Sequence, residues 1–537
     1  MIAAAASEGT VGAAAAPIGA IEVVLLLLLA AMALAILARR IGVPYPILLM
    51  LGGLALGFVP GLPTMELEPD LVFLLFLPPI LFGAGYFTSI RDFRANLRPI
   101  ALLSVGLVLA TTVAVAAVAQ ALIPGLGWAA AFALGAIVAP PDAVAATAIF
   151  QRLGVPRRAV TILEGESLVN DATALVAYRF AVAAALSGTF SIVDAGTSFV
   201  FVAVGGVAFG LVVGVVVAAI FRRLDDPVFE IVISFLAPAA AYVPAEHLGV
   251  SGVLAAVAAG IYTGRHASRT LSSSGRVGGA AAWQVLLFLI NGSVFILMGV
   301  QLPSILAGIA DRPTGELVGL AVAVSLTAIV VRILWVFPGT YVPRLLSAAI
   351  REREADPPPR NVFLVAWAGM RGVVSLAAAL ALPLDFPERH LLIFLTFAVI
   401  LATLVGQGLT LPLVIRGLGI VGDDGDEQEE AQARQLAAEA AVRRIDELAA
   451  EWPGHLELID ALRVQYGHRA RDLEIHHAEG PTDESEQELL EHRAIRTAVF
   501  DAEREALDGL RETGAIRDEI YRRVERDLDL EELRMEA

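Results

Sequence analysis

Three short stretches place ionisable side chains inside sequence that is otherwise almost wholly apolar. They are Leu163-Glu164-Gly165-Glu166-Ser167-Leu168-Val169-Asn170-Asp171, Val138-Ala139-Pro140-Pro141-Asp142-Ala143-Val144 and Trp367-Ala368-Gly369-Met370-Arg371-Gly372-Val373-Val374-Ser375. Ionisable groups deep in a membrane span are costly and face a partner or an aqueous path. On a helix Glu164, Ser167 and Asp171 share one face, and Glu166 and Asn170 occupy the adjoining one. The paired prolines before Asp142 remove two backbone donors, so the helix must break there. Backbone freed inside a bilayer is buried in protein or lines a cavity. Ser167, Asp171 and a carbonyl freed near Pro141 are oxygen ligands, which suit a hard cation such as Na⁺. A carboxylate so placed holds either one proton or one cation, and competition for it gives exchange. Arg371 needs a carboxylate at its own depth, and Glu166 is the candidate.

The elements that position these residues are membrane helices. A span takes about 20 mainly apolar residues. Thirteen stretches qualify: 18–38, 43–60, 70–88, 99–123, 127–150, 159–187, 195–221, 228–246, 249–263, 281–307, 314–343, 361–383 and 390–415. Loops after odd spans hold 17 arginines, and loops after even spans hold only Arg312 and Arg389. By the positive-inside rule the N-terminus is outside and the C-terminus cytoplasmic. Asp142 then lies roughly 15 Å from the cytoplasmic Arg152, Asp171 roughly 18 Å into span 6 and Arg371 roughly 15 Å into span 12, all near the midplane. The broken spans 5 and 12 are the fifth of spans 1–6 and the fifth of spans 8–13, with span 7 between. Inverted repeats with interruptions in corresponding positions point to a midplane transport site.

Composition agrees. Of 537 residues 57% are hydrophobic, and the mean hydropathy is +0.73, well above the apolar share of a soluble domain. The net charge of −17 belongs to the end of the chain. Residues 423–537 hold 33 Asp and Glu against 15 Arg, whereas residues 1–422 hold 22 against 23. The expected domains are therefore a transmembrane domain, 1–422, and an acidic cytoplasmic tail, 423–537. In the tail, stretches 427–452, 455–477 and 484–533 read as polar helices, broken at Pro453-Gly454 and Gly480-Pro481. No cysteine occurs, which excludes disulfides and thiolate metal sites. The first 18 residues lack the basic start of a secretory signal peptide, so the first apolar run is expected to remain as a span. Gly249-Val250-Ser251-Gly252 matches the GxSG of rhomboid-type intramembrane proteases, but its nearest histidine, His247, sits just before it at a span edge, and packing is the better reading. Glu230 and Glu246 lie near the ends of span 8. For Arg332 organising the bundle is the better reading and snorkelling the alternative, and Arg179 snorkels.

Three motifs carry a resemblance. Gly165 to Asp171, Trp367 to Ser375 and Leu77-Pro78-Pro79-Ile80-Leu81 resemble the NhaP/NHE-type Na⁺/H⁺ antiporters of the monovalent cation:proton antiporter superfamily, and Gln407-Gly408-Leu409-Thr410 is similar too. The resemblance spans about residues 20–420. It implies a homodimer with a core and a dimerisation domain, no cofactor, and Na⁺ (or Li⁺) and H⁺ as cargo at the plasma membrane, in pH and sodium homeostasis. Membrane lipid and a second copy are the implied partners, and no nucleic acid. It further implies that Asp171 is the cation and proton carboxylate with Ser167 as co-ligand, that Asn170 supports span 5, and that Glu166–Arg371 ties spans 6 and 12 together. Electrogenic relatives tend to carry two adjacent aspartates where this chain has Asn170-Asp171, which implies electroneutral exchange here. Two positions depart from the pattern: Gly83 stands where relatives often carry an acid, and Pro141-Asp142-Ala143 where many carry Thr-Asp-Pro. A K⁺/H⁺ antiporter on the same skeleton is the alternative, and an intramembrane hydrolase using Ser251 a remoter one.

Overall fold

The computed structural model describes residues 20–60, 69, 72–188, 192–224, 226–353, 356–420, 425–479, 483–513 and 515–536. Among them there is helix and no strand. The chain divides into two compact units, Met1–Gly422 and Asp423–Ala537.

In the first unit every apolar stretch read from the sequence is helical. The starts of spans 1 and 3, at residues 18–19 and 70–71, lie outside the described residues. Among the described residues eight helices are long and apolar enough to cross a membrane, and Tyr45–Gly57 and Val72–Phe87 are shorter apolar ones. Spans 5 and 12 are interrupted. Trp128–Val138 and Ala143–Leu153 flank the first gap, and Pro359–Trp367 and Val373–Leu380 the second.

Small residues let these helices approach closely, as membrane packing requires where no hydrophobic effect draws helices together. A Cβ added at Gly260 would lie 2.3 Å from the Phe82 carbonyl, which fixes span 9 against span 3. One added at Gly53 would lie 2.1 Å from the Ile296 carbonyl, which fixes span 2 against span 10. The largest apolar core gathers spans 4, 5, 11, 12 and 13, with residues of spans 2 and 10. A second core is built from spans 7, 8 and 9 with Phe82 and Trp283. Span 6, Arg157–Ser187, lies on the seam, where its Leu168 and Ala172 pack with Leu77, Tyr242 and Val257.

The second unit is helical too. Gly425–Glu451 and Leu456–Glu479 meet through an Arg463–Asp446 ion pair of 2.9 Å. The stretch 484–533 corresponds to two helices, Asp483–Glu512 and Asp518–Glu536. Arg504 joins them through Asp529 and Glu532 at 2.8 and 2.5 Å. This division is a correction to the single helix expected there: the sequence between the two helices, 513–517, contains Gly514, a poor helix former. The expected break at Gly480-Pro481 lies outside the described residues.

Candidate functional site

The two interruptions cross. At the first, Asp142 caps Ala143–Leu153, its Oδ1 accepting the Val144 N–H at 2.8 Å. Its own N–H donates to the Met370 carbonyl across the crossing at 2.6 Å. Asp142 Oδ2 also lies against Gly372, the N-cap of Val373–Leu380, where an added Cβ would be only 1.8 Å away. The carboxylate therefore sits at two half-helix N-termini, whose partial positive charge stabilises an anion.

Arg371, 1% exposed, occupies the opposite ends. Its Nε donates to the Val138 carbonyl at 3.1 Å, Nη2 to the Ala328 carbonyl at 3.3 Å, and Nη1 to the Gly369 carbonyl. Val138 ends one half-helix, and Gly369 lies just past the end of another, so the guanidinium meets their partial negative charge. This corrects the expected Glu166–Arg371 pair. The carboxylate of Glu166 is bound through both oxygens by Arg332 of span 11, at 2.6 and 2.8 Å, with both residues buried to within 1%. Arg332 also donates to the Val365 carbonyl at 3.1 Å. It is buried, so it does not snorkel. The physical reason is that the broken helix ends supply two of the three carbonyls that hold Arg371, whereas Arg332 lies within the continuous Thr314–Leu346 helix, beside the Glu166 carboxylate. A forked guanidinium then matches a carboxylate better than anything else available.

Span 6 brings its residues to this crossing. The Asn170 amide donates to the Pro141 carbonyl at 2.8 Å, holding the first interruption. Asp171 is 7% exposed, and among the described residues no hydrogen bond or ion pair ends on its carboxylate. Asp171, Ser167, Pro141 and Asp142 line one cavity of about 680 Å³, together with Glu164, Thr147, Gly83 and Ser375. The lining chemistry is carboxylate, hydroxyl and carbonyl oxygen, a donor set that a dehydrated monovalent cation can use.

Sequence reasoning left the partners of three contributors unassigned. Besides Arg332, Thr403 accepts the Arg371 backbone N–H at 3.1 Å, and Gln407 donates to the Trp367 carbonyl at 3.0 Å. Both lie in a π-helical turn, Ala402–Gln407, which widens span 13 beside the second interruption, as such turns often do at functional sites. The motif Gln407 to Thr410 was visible, and its task is to hold Trp367, whose Nε1 donates to Thr410 Oγ1 at 3.1 Å. The GxSG serine is a helix cap: Ser251 Oγ accepts the Leu254 N–H at 3.2 Å, and His247 bonds the Val243 carbonyl. Arg179 pairs with Glu246 at 2.5 Å.

Two interrupted membrane helices crossing beside a buried carboxylate are the architecture of a secondary transporter. Residues 24–417 match the family described as sodium/hydrogen exchanger, transmembrane, and the chain belongs to that family. An uncharacterized Na⁺/H⁺ exchanger of Mycobacterium tuberculosis is 36% identical over 510 residues, covering 93% of each chain. A sodium, potassium, lithium and rubidium/H⁺ antiporter of Bacillus subtilis is 33% identical over 520 residues, covering 93% of this chain and 76% of its own. The solved sodium proton antiporter MjNhaP1 of Methanocaldococcus jannaschii superimposes with a TM-score of 0.59 at 20% identity, covering 74% of this chain and 98% of its own. That likeness establishes the fold.

Proposed function

We propose that the protein exchanges Na⁺ or Li⁺ for H⁺ across the plasma membrane, one for one and without net charge movement, in pH and sodium homeostasis. The observation that carries this reading is Asp171, a carboxylate without an ionic partner among the described residues, buried where a cavity that holds several polar groups meets two broken helices. Asp171 and Ser167 bind the cation. Asn170 and the Pro141 carbonyl hold the broken span in place, and Asp142 contributes a fixed negative charge beside them. Residues 1–422 carry transport as a homodimer, and residues 423–537 form a cytoplasmic tail. The cavity lining from Asp171 through Ser167 and Glu164 to Gln151 runs toward the arginine-rich side, so this conformation faces the cytoplasm.

K⁺ as cargo is the second reading, favoured by the B. subtilis relative, whose name includes potassium. Acridine-dye dequenching in proteoliposomes on adding Na⁺, Li⁺ or K⁺ in turn separates the two. A response to Na⁺ and Li⁺ alone supports the first, an equal response to K⁺ the second, and no response to any of the three rejects both.

A further inference from the structure

We propose that Glu164 forms an outer cation-binding station at the cytoplasmic mouth of the cavity, where a hydrated monovalent cation is captured before it reaches Asp171. The inference rests on the transport reading above and adds a second site to it. Glu164, Ser167 and Asp171 lie on one face of the unbroken Arg157–Ser187 helix and line the same cavity. Seven residues separate the two carboxylates, two turns or roughly 10 Å along the helix. Exposure falls along this face: Gln151 at the mouth is exposed, Glu164 and Ser167 are half-buried, and Asp171 is 7% exposed. A cation entering from the mouth therefore meets a half-buried carboxylate first, then a hydroxyl, then a buried carboxylate.

Among the described residues Glu164 takes part in no ion pair. On its own helix Arg157, two turns further out on the same face, is engaged by Asp92 at 3.2 Å, and Arg158 donates to Asn96 Oδ1 at 3.1 Å. Thr147 and Gln151 from Ala143–Leu153 add uncharged oxygens to the same wall. A carboxylate in a cleft with low-dielectric walls concentrates counter-ions near it. At roughly 10 Å, about one screening length at 0.1 M salt, it assists Asp171 without competing for the same ion. Asp171 accounts for the exchange itself, and the structure gives Glu164 no packing or capping task that would require its charge.

The test is Glu164→Gln in everted membrane vesicles, where the cytoplasmic face is outside. The KM for Na⁺ is expected to rise about threefold to tenfold with the maximum rate unchanged. The rise should shrink as choline chloride screens the wild type, and Glu164→Asp should restore most of the wild-type KM. In right-side-out vesicles, with Na⁺ offered to the other face, the KM should not move. An unchanged KM in everted vesicles, a lost maximum rate at constant KM, or an equal shift from both faces would each overturn the proposal. These outcomes are read between variants that all transport, so they differ from a wild type that moves no cation at all, which would overturn the transport reading instead.

Discussion

Asp171 and Arg371 are both buried near the crossing, yet they are satisfied in opposite ways. Arg371 is enclosed by carbonyls, and Asp171 faces a cavity with no ionic partner among the described residues. A group held by three carbonyls is structural, whereas one left to the cavity can exchange its occupant. Asp171→Asn is therefore expected to abolish cation-dependent proton movement in proteoliposomes while leaving the size-exclusion profile in detergent unchanged. Substantial Na⁺-driven dequenching by the purified variant would remove Asp171 from its role. Gly372 provides a second residue-scale prediction. An alanine there would put its Cβ 1.8 Å from the Asp142 carboxylate, which cannot retreat without losing its bond to the Val144 N–H. Gly372→Ala should cost transport and lower thermal stability together, and a fully active, equally stable variant would show that the crossing has slack. The placing of Asp171 beside the first interruption was legible in the sequence, because an acid at that depth in an apolar helix is costly and must face a partner or a cavity. The partner of Glu166 was not. Arg332 and Arg371 are both central in their spans, and only the lateral arrangement of helices, which depth along a helix does not encode, decides which reaches Glu166.

The elements were legible for a different reason. Alternating arginine content in the loops constrains the order and direction of spans, and Pro140-Pro141 and Gly369 to Gly372 mark where helices must stop. What the pattern could not show is that the two interruptions meet and exchange bonds, Asp142 N–H to Met370 and Arg371 Nε to Val138. The tie between spans 6 and 11 was hidden as well. Glu166–Arg332 joins the helix that carries Asp171 to the long Thr314–Leu346 helix. Removing one partner of a buried pair strands the other charge, at a cost of about 3–5 kcal/mol. Arg332→Ala and Glu166→Ala should each lower the melting temperature in detergent markedly, and the double variant Glu166→Gln/Arg332→Met should recover much of the loss. The recovery is the informative part, because a catalytic role for either residue would leave the double variant as inactive as the worse single one. Single variants that melt with the wild type would contradict the pairing.

At the scale of the whole molecule the question is how much charge crosses the membrane in one cycle. Only a group that changes its occupant during the cycle contributes. The sequence contains no lysine, so no ammonium is available as a second proton carrier, and arginine does not deprotonate in proteins. Glu166 is held through both oxygens by Arg332. Asn170 is uncharged, and its amide is committed to the Pro141 carbonyl. Asp142 is a carboxylate in the same cavity, but it caps a helix and lies at the start of another, so both half-helix ends favour its charge throughout. Glu164 lies nearer the mouth of the cavity and, on the proposal above, would hold its cation only in transit. On the proposed function, that leaves Asp171 alone to alternate between one proton and one monovalent cation, so that each half-cycle would carry the same net charge. Transport should accordingly be insensitive to membrane voltage. In proteoliposomes with a potassium-diffusion potential set by valinomycin and Na⁺ as substrate, the rate of proton movement is expected to stay constant across imposed potentials of either sign. A rate that changes steeply with the potential, or net charge movement on a solid-supported membrane, would mean that a second carboxylate titrates during the cycle. Asp142 is the one placed to do so, and Asp142→Asn should then abolish the voltage dependence.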